Sequence, residues 1–222
     1  MVVVVGAGGL GCPVALALVE AGVAVRLVDD DVVELSNLQR QVLYGTADVG
    51  RPKVEVARER LGPRVEAVRG RVDRGTAETL LAGADLVVDA TDDPDARFVI
   101  NDWSLAHRVP CVLGGIHRFN GLVMAVAPGS SCFRCLFEED QRGLAPSCAQ
   151  VGVLGALVGL VGHLQAERAL ALLRGEPVTG FVTTIDALAG RIRSVPVPRA
   201  DDCPACSGES TVRPNVLTLA AL

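Results

Sequence analysis

Two groups of side chains in this sequence have types and spacings suited to chemistry. The first is Gly6-Ala7-Gly8-Gly9-Leu10-Gly11, which satisfies the pattern G-x-G-x-x-G. Glycines at Gly6, Gly8, Gly9 and Gly11 let a backbone turn sharply and approach phosphates, whose charge is held by the N-terminus of the following helix. Asp29 stands eighteen residues beyond Gly11, at the end of a second apolar run, where a carboxylate accepts hydrogen bonds from a ribose. These features imply a nucleotide without saying which one. The second group is Cys132-x-x-Cys135 and Cys203-x-x-Cys206, four of the seven cysteines. Two such pairs close a tetrahedral thiolate site of the kind zinc fills, with no position left open for catalysis. Its expected role is structural, pinning the loop after Val126 to the C-terminal tail.

The elements that must hold these groups follow from the apolar pattern. Val2–Val5 meets the glycines at once, and an Ala-rich segment runs from Leu10 to Ala21, which reads as strand, tight turn, helix. Val23–Asp29 is a second strand. Pro52 stands where a helix begins, with Val54, Ala57 and Leu61 at helical spacing. Ala84–Ala90 reads as a buried strand ending at Thr91-Asp92-Asp93, Pro94 opens a helix to about His107, and Pro110–Leu113 is another strand. Short apolar strands alternating with helices predict an α/β, doubly wound, mostly parallel sheet, open to ligand at the C-terminal ends of its strands. From Gly121 the pattern changes. Leu122–Val126 follows a turn at Asn120-Gly121 and reads as antiparallel, a Gly-rich helix spans Val151–Leu173, and Phe181–Ile185 and Ile192–Val197 are two further strands. There is no internal repeat, so 1–222 is read as one domain.

Composition excludes other classes. The chain is 50% hydrophobic but only 3% aromatic, and its net charge of −5 comes without a basic stripe, which argues against a nucleic-acid partner. Met1 to Val19 carries no charge, but a basic n-region is missing and glycines and Pro13 interrupt it, so neither signal peptide nor membrane helix is expected. Val151 to Gly162 is too short to span. An odd cysteine total without a secretory signal points to a reducing compartment. The expectation is a soluble, cytoplasmic protein.

The more specific signal is Asp29-Asp30-Asp31-Val32-Val33-Glu34-Leu35-Ser36-Asn37-Leu38-Gln39-Arg40-Gln41, followed by Gly50-Arg51-Pro52-Lys53. With Asp89-Ala90-Thr91-Asp92 and the Cys-x-x-Cys pairs, this order and spacing resembles the MoeB/ThiF/HesA family, bacterial relatives of ubiquitin-activating enzymes. The resemblance runs from Val2 to Cys206. It implies a Rossmann-like adenylation domain that uses ATP to adenylate the C-terminal glycine of a ubiquitin-like sulfur-carrier protein ending in Gly-Gly, releasing pyrophosphate. It implies a homodimer with Mg²⁺ and a structural Zn²⁺, and possible traffic with a cysteine desulfurase or rhodanese. Gly9 would line the phosphates, Asp29 would hold the ribose, Asn37, Arg40 and Lys53 would surround the triphosphate, and Asp92 would act through Mg²⁺. Asp31, Ser36 and Asp93 complete the implied nucleotide-binding set. Such chemistry needs no general base, because the attacking carboxylate is already ionised; it needs positioning and positive charge on the phosphates.

Each assignment has a plainer rival. Arg40 can be a surface ion pair. Lys53 can be a solvated helix start, although a cation there faces the wrong end of the helix dipole. Asp92 can cap the helix at Pro94, but Asp93 is the better cap by position. The family usually has Asn where this chain has Asp93. Cys148 precedes a predicted helix, where the macrodipole favours a thiolate, and the resemblance implies a transfer role in some members. Cys12 and Cys111 read as inert core residues. Family members also carry a preceding helical segment with an arginine that reaches the neighbouring subunit's triphosphate. This sequence begins inside the first strand, and the reading favours a misassigned start. The rival functions are a carrier-docking module without turnover and a nicotinamide-dependent oxidoreductase, which leaves Arg40, Lys53 and the cysteines without a role.

Overall fold

β1 (Val2–Val5) is four consecutive valines, all buried, because both faces of the strand are covered. The computed structural model describes residues 1–137 and 152–207. After β1 come α1 (Gly11–Glu20), β2 (Val25–Val28), α2 (Lys53–Leu61), β3 (Val65–Val68), α3 (Ala77–Leu80), β4 (Leu86–Asp89), α4 (Pro94–His107), β5 (Cys111–His117), β6 (Asn120–Val126), α5 (Gly155–Leu173), β7 (Phe181–Asp186) and β8 (Arg191–Pro196). Among the described residues they form one eight-stranded sheet in the order β3-β2-β1-β4-β5-β6-β7-β8. β1 to β5 pair in parallel, and β5 to β8 pair antiparallel, with β5–β6 and β7–β8 as hairpins and α5 between β6 and β7. The predicted doubly wound sheet with antiparallel C-terminal strands is therefore what forms.

Alternation along the strands sorts the helices onto two faces. Val2, Val4, Val25, Leu27, Leu86 and Val88 pack with α1, α2 and α5; Val3, Val5, Val28 and Val87 pack with α3, α4 and the cysteine-bearing loops. α4 starts where the sequence places it: Asp93 is the N-cap, accepts from the Asp95 N–H at 2.9 Å, and Pro94 follows. α5 is long and apolar enough to cross a membrane. Its Leu157, Val158, Val161, Gly162 and Ala166 are instead buried against α1 and the sheet.

Two features depart from the sequence reading. β3 was not read from the sequence, because Val65-Glu66-Ala67-Val68 is a half-buried edge strand with a charge at its centre. The β5–β6 turn lies at Arg118-Phe119, with Arg118 at φ 55°, and not at Asn120-Gly121. Gly121 is required for another reason: a Cβ there would sit 2.6 Å from Val161 Cγ1's twin methyl, Cγ2, so its absence lets α5 approach the sheet.

Candidate nucleotide site and cysteine cluster

Strand order reverses between β1 and β4, and at such a switch point the loops beyond the strands' C-terminal ends diverge and leave a crevice. The glycine turn lies there. Gly6 adopts φ +96°, and a Cβ on it would meet the Ala90 carbonyl oxygen at 2.7 Å. At Gly11 a Cβ would fall 1.8 Å from the Gly6 oxygen, so the turn closes only without side chains at both positions.

Asp29, just past β2, folds back onto this turn. Its Oδ2 accepts from the Ala7 N–H at 2.6 Å and its Oδ1 from the Asp31 N–H at 2.8 Å. Burial pushes its carboxyl upward from the ordinary value, opposed by the Lys53 ammonium and those two N–H groups. The carbonyl of Ala7 accepts from Tyr44 Oη–H at 2.8 Å, in a buried bond.

The segment after β2 brings the basic residues in. Val32 pairs with Pro52 in an isolated antiparallel bridge, and Lys53 N–H donates to the Asp31 carbonyl at 3.1 Å. Lys53 is thereby placed at the start of α2 with only 4% of its surface exposed, and its Nζ donates to Asp31 Oδ2 at 2.7 Å. Arg40 runs along Gly9: a Cβ on that glycine would lie 3.4 Å from Arg40 Cγ and 2.7 Å from Val158 of α5. Arg40 Nη2 donates to Asn37 Oδ1 at 2.8 Å, which orients the guanidinium. Asn37 in turn reaches Glu34, as does the exposed Ser36.

The end of β4 supplies the acidic side. Asp92 is exposed beyond Thr91. Asp93 is occupied by its helix cap and by Arg71, whose Nη2 lies 2.7 Å from Asp93 Oδ2. Beneath this turn lies a network the sequence did not reveal. Asp89, fully buried, accepts from Arg97 Nε at 2.6 Å and from Thr91 N–H and Oγ1, while Gln165 of α5 donates to the Asp89 carbonyl. A carboxylate inside the apolar run Leu86–Ala90 was the available signal for it. Gln41, also buried, lies against Gly8.

The structure thus gathers Gly6–Gly11, Asp29, Asp31, Asn37, Arg40 and Lys53 around one crevice end. Cys148 lies outside the described residues. Cys12 and Cys111 are buried, and burial pushes their thiols up to about 11 and about 12, as inert core residues require.

On the opposite face of the sheet, Cys132, Cys135, Cys203 and Cys206 converge, all four Sγ within 4.8 Å of one another. Neighbouring sulfurs lie 3.4, 3.6 and 3.9 Å apart. A tetrahedral ion with bonds of ~2.3 Å to sulfur sets them about 3.8 Å apart. Cys135 Sγ also accepts from the N–H groups of Cys132 and Ala200, each at 3.4 Å. The hydrogen bond from Cys132, with those N–H groups, pulls the Cys135 thiol below its ordinary value against burial. The Cys132 knuckle is anchored to α4 by Phe133 N–H to Asn101 Oδ1 and by a two-pronged Arg134–Asp102 pair.

Residues 1–205 match the model of the ThiF family. The chain is 44% identical over 227 residues to the sulfur carrier protein adenylyltransferase of Thermus thermophilus, covering 96% of this chain and 84% of that relative. It is 44% identical over 220 residues to the SAMP-activating enzyme E1 of Haloferax volcanii, covering 95% of this chain and 81% of the relative. Among solved structures, E. coli MccB superposes with a TM-score of 0.80 at 21% identity, over 96% of this chain and 67% of that one, a likeness of fold.

Proposed function

We propose that this chain, which belongs to the ThiF family, transfers AMP from ATP to the C-terminal carboxylate of a ubiquitin-like sulfur-carrier protein. In that step a carboxylate oxygen of the carrier attacks the α-phosphorus. A C–O–P bond forms, the bond to the β-phosphate oxygen breaks, and its electron pair leaves on pyrophosphate. The observation that carries this reading is the placement of two cations beside the glycine turn: Arg40 along Gly9, and Lys53 at the start of α2 among Asp29 and Asp31.

Each residue then has a task. The glycine turn and the N-terminus of α1 receive the phosphates. Asp29, held by two N–H groups, presents its remaining acceptor capacity to the ribose. Arg40, oriented by Asn37, and Lys53 offset the charge that develops on the triphosphate, with Ser36 and Asp31 at the rim. Asp92 is the carboxylate that suits Mg²⁺, since it is exposed at the crevice while Asp93 is committed to its cap and Arg71. Mg²⁺ bound there would add positive charge to the phosphates. The four thiols suit Zn²⁺ in number, softness and spacing, and the ion's part would be to tie two chain segments together. A cytoplasmic homodimer, a single adenylation domain over 1–222, a role for Cys148 in transfer and a rhodanese or cysteine desulfurase as sulfur source belong to the same reading.

The test is ATP–pyrophosphate exchange with purified protein and a panel of carriers ending in Gly-Gly. Exchange that requires the intact Gly-Gly terminus is the expected result. Carrier binding without exchange would replace the enzyme by a docking module, and nicotinamide binding in place of ATP would overturn the reading altogether.

A further inference from the structure

One peptide in the glycine turn is held from two sides. The N–H of Ala7 donates to Asp29 Oδ2 at 2.6 Å, and the carbonyl of Ala7 accepts from Tyr44 Oη–H at 2.8 Å. Cys12 Sγ–H adds a weaker contact to the same carbonyl at 3.5 Å. Tyr44 is 6% exposed and Ala7 is fully buried, so the carbonyl points into the protein. The described chain contains no cis peptide. In a trans peptide the C=O and the N–H of the next residue point in opposite directions. Fixing the Ala7 carbonyl inward therefore aims the Gly8 N–H outward, into the crevice where strand order reverses.

We propose that Tyr44 is a positioning residue for nucleotide binding: its hydroxyl locks the Ala7–Gly8 peptide so that the Gly8 N–H is a preset donor to a phosphate oxygen. This rests on the nucleotide reading of the site and deepens it. Glycine at position 8 makes the lock necessary, because a peptide flanked by glycine turns over easily when its carbonyl has no internal partner. Without the hydroxyl, the buried Ala7 carbonyl keeps only the weak Cys12 Sγ–H contact, and turning it toward water withdraws the Gly8 N–H from the crevice. Tyr44 is the chain's one tyrosine, and the ring alone would fill the same space as phenylalanine.

The test is calorimetric titration of MgATP and of adenosine into the wild-type protein and Tyr44→Phe. Loss of one such hydrogen bond is expected to weaken MgATP binding about tenfold and leave adenosine, which has no phosphate, unchanged. Equal weakening of both ligands would show general loosening and overturn the proposal, as would no change in either. A second measurement needs no variant: in ¹⁵N-labelled wild-type protein the Gly8 amide proton is expected to move downfield with MgATP and not with adenosine. A Gly8 signal indifferent to MgATP would overturn the proposal. These readouts are separate from turnover. Wild-type protein that binds MgATP but gives no carrier-dependent exchange would sink the proposed reaction and leave the lock standing.

Discussion

Lys53 Nζ lies 2.7 Å from Asp31 Oδ2, yet the two partners are unlike: the lysine side chain is 4% exposed and the aspartate 66%. A cation this well buried beside a solvated carboxylate is poorly neutralised, and it is available to a more highly charged anion. Lys53→Met should therefore reduce carrier-dependent exchange by roughly 10²–10³, the scale of losing one preorganised electrostatic donor. Its melting temperature should fall only modestly: Asp31 keeps its water and the methionine fills the lysine's apolar path, while Asp29 loses the ammonium that offsets its burial. Exchange kinetics with differential scanning calorimetry would check both halves.

Asp29 separates stability from function. Its folded-state pKa is raised, chiefly by burial. The native state thus holds an extra proton between the ordinary carboxylate value and the raised one. The stability this group contributes is full below the ordinary value and is lost as pH rises through the raised one. Asp29→Asn removes that penalty while still accepting from the Ala7 N–H. Its melting temperature should exceed wild type at pH 8, with the gap closing at pH 4, while MgATP affinity falls. A variant less stable than wild type at pH 8 would contradict this account of the raised pKa.

The Asp89–Arg97 pair is a structural device under the Thr91–Asp92 turn. Arg97→Met leaves a fully buried carboxylate without its cation and should cost about 3–5 kcal/mol in urea unfolding. Adding Asp89→Asn in the same chain should restore part of that loss, because the neutral amide no longer needs the guanidinium. Absence of any recovery would mean that Arg97 acts through its contact with Phe133, 5.9 Å from the ring centroid, and not through charge.

Much of this arrangement could be read before the fold was known, and the reason is locality. The glycine turn, the Asp93 cap on α4 and the spacing within each cysteine pair depend on residues a few positions apart. What escaped the sequence is set by partners far along the chain. Tyr44 meets Ala7 across 37 residues, Gln165 meets Asp89 across 76, and neither side chain carries a pattern that names its partner. β3 escaped for a different reason: four residues at a sheet edge, with Glu66 outward, give too little alternation to distinguish a strand from a loop.

The cysteine cluster yields a metal prediction. Purified protein should contain one zinc per chain by elemental analysis, and Cys203→Ala should lose it together with several degrees of melting temperature. Protein free of zinc and indifferent to chelators would leave the four thiols as a packed apolar knot.

That cluster also governs the open end of the sheet. Among the described residues β8 is exposed along all six positions and has a neighbour on one side only, the kind of border along which foreign strands add. Cys132 and Cys203 stand 71 residues apart in sequence, and so do Cys135 and Cys206. Clasped by a bound zinc ion, they would turn the segment carrying α5 and the β7–β8 hairpin into a closed ring whose members could not peel away singly. Stripping the clasp should therefore announce itself first as precipitation seeded at this border, while the crevice on the far side still takes up its nucleotide.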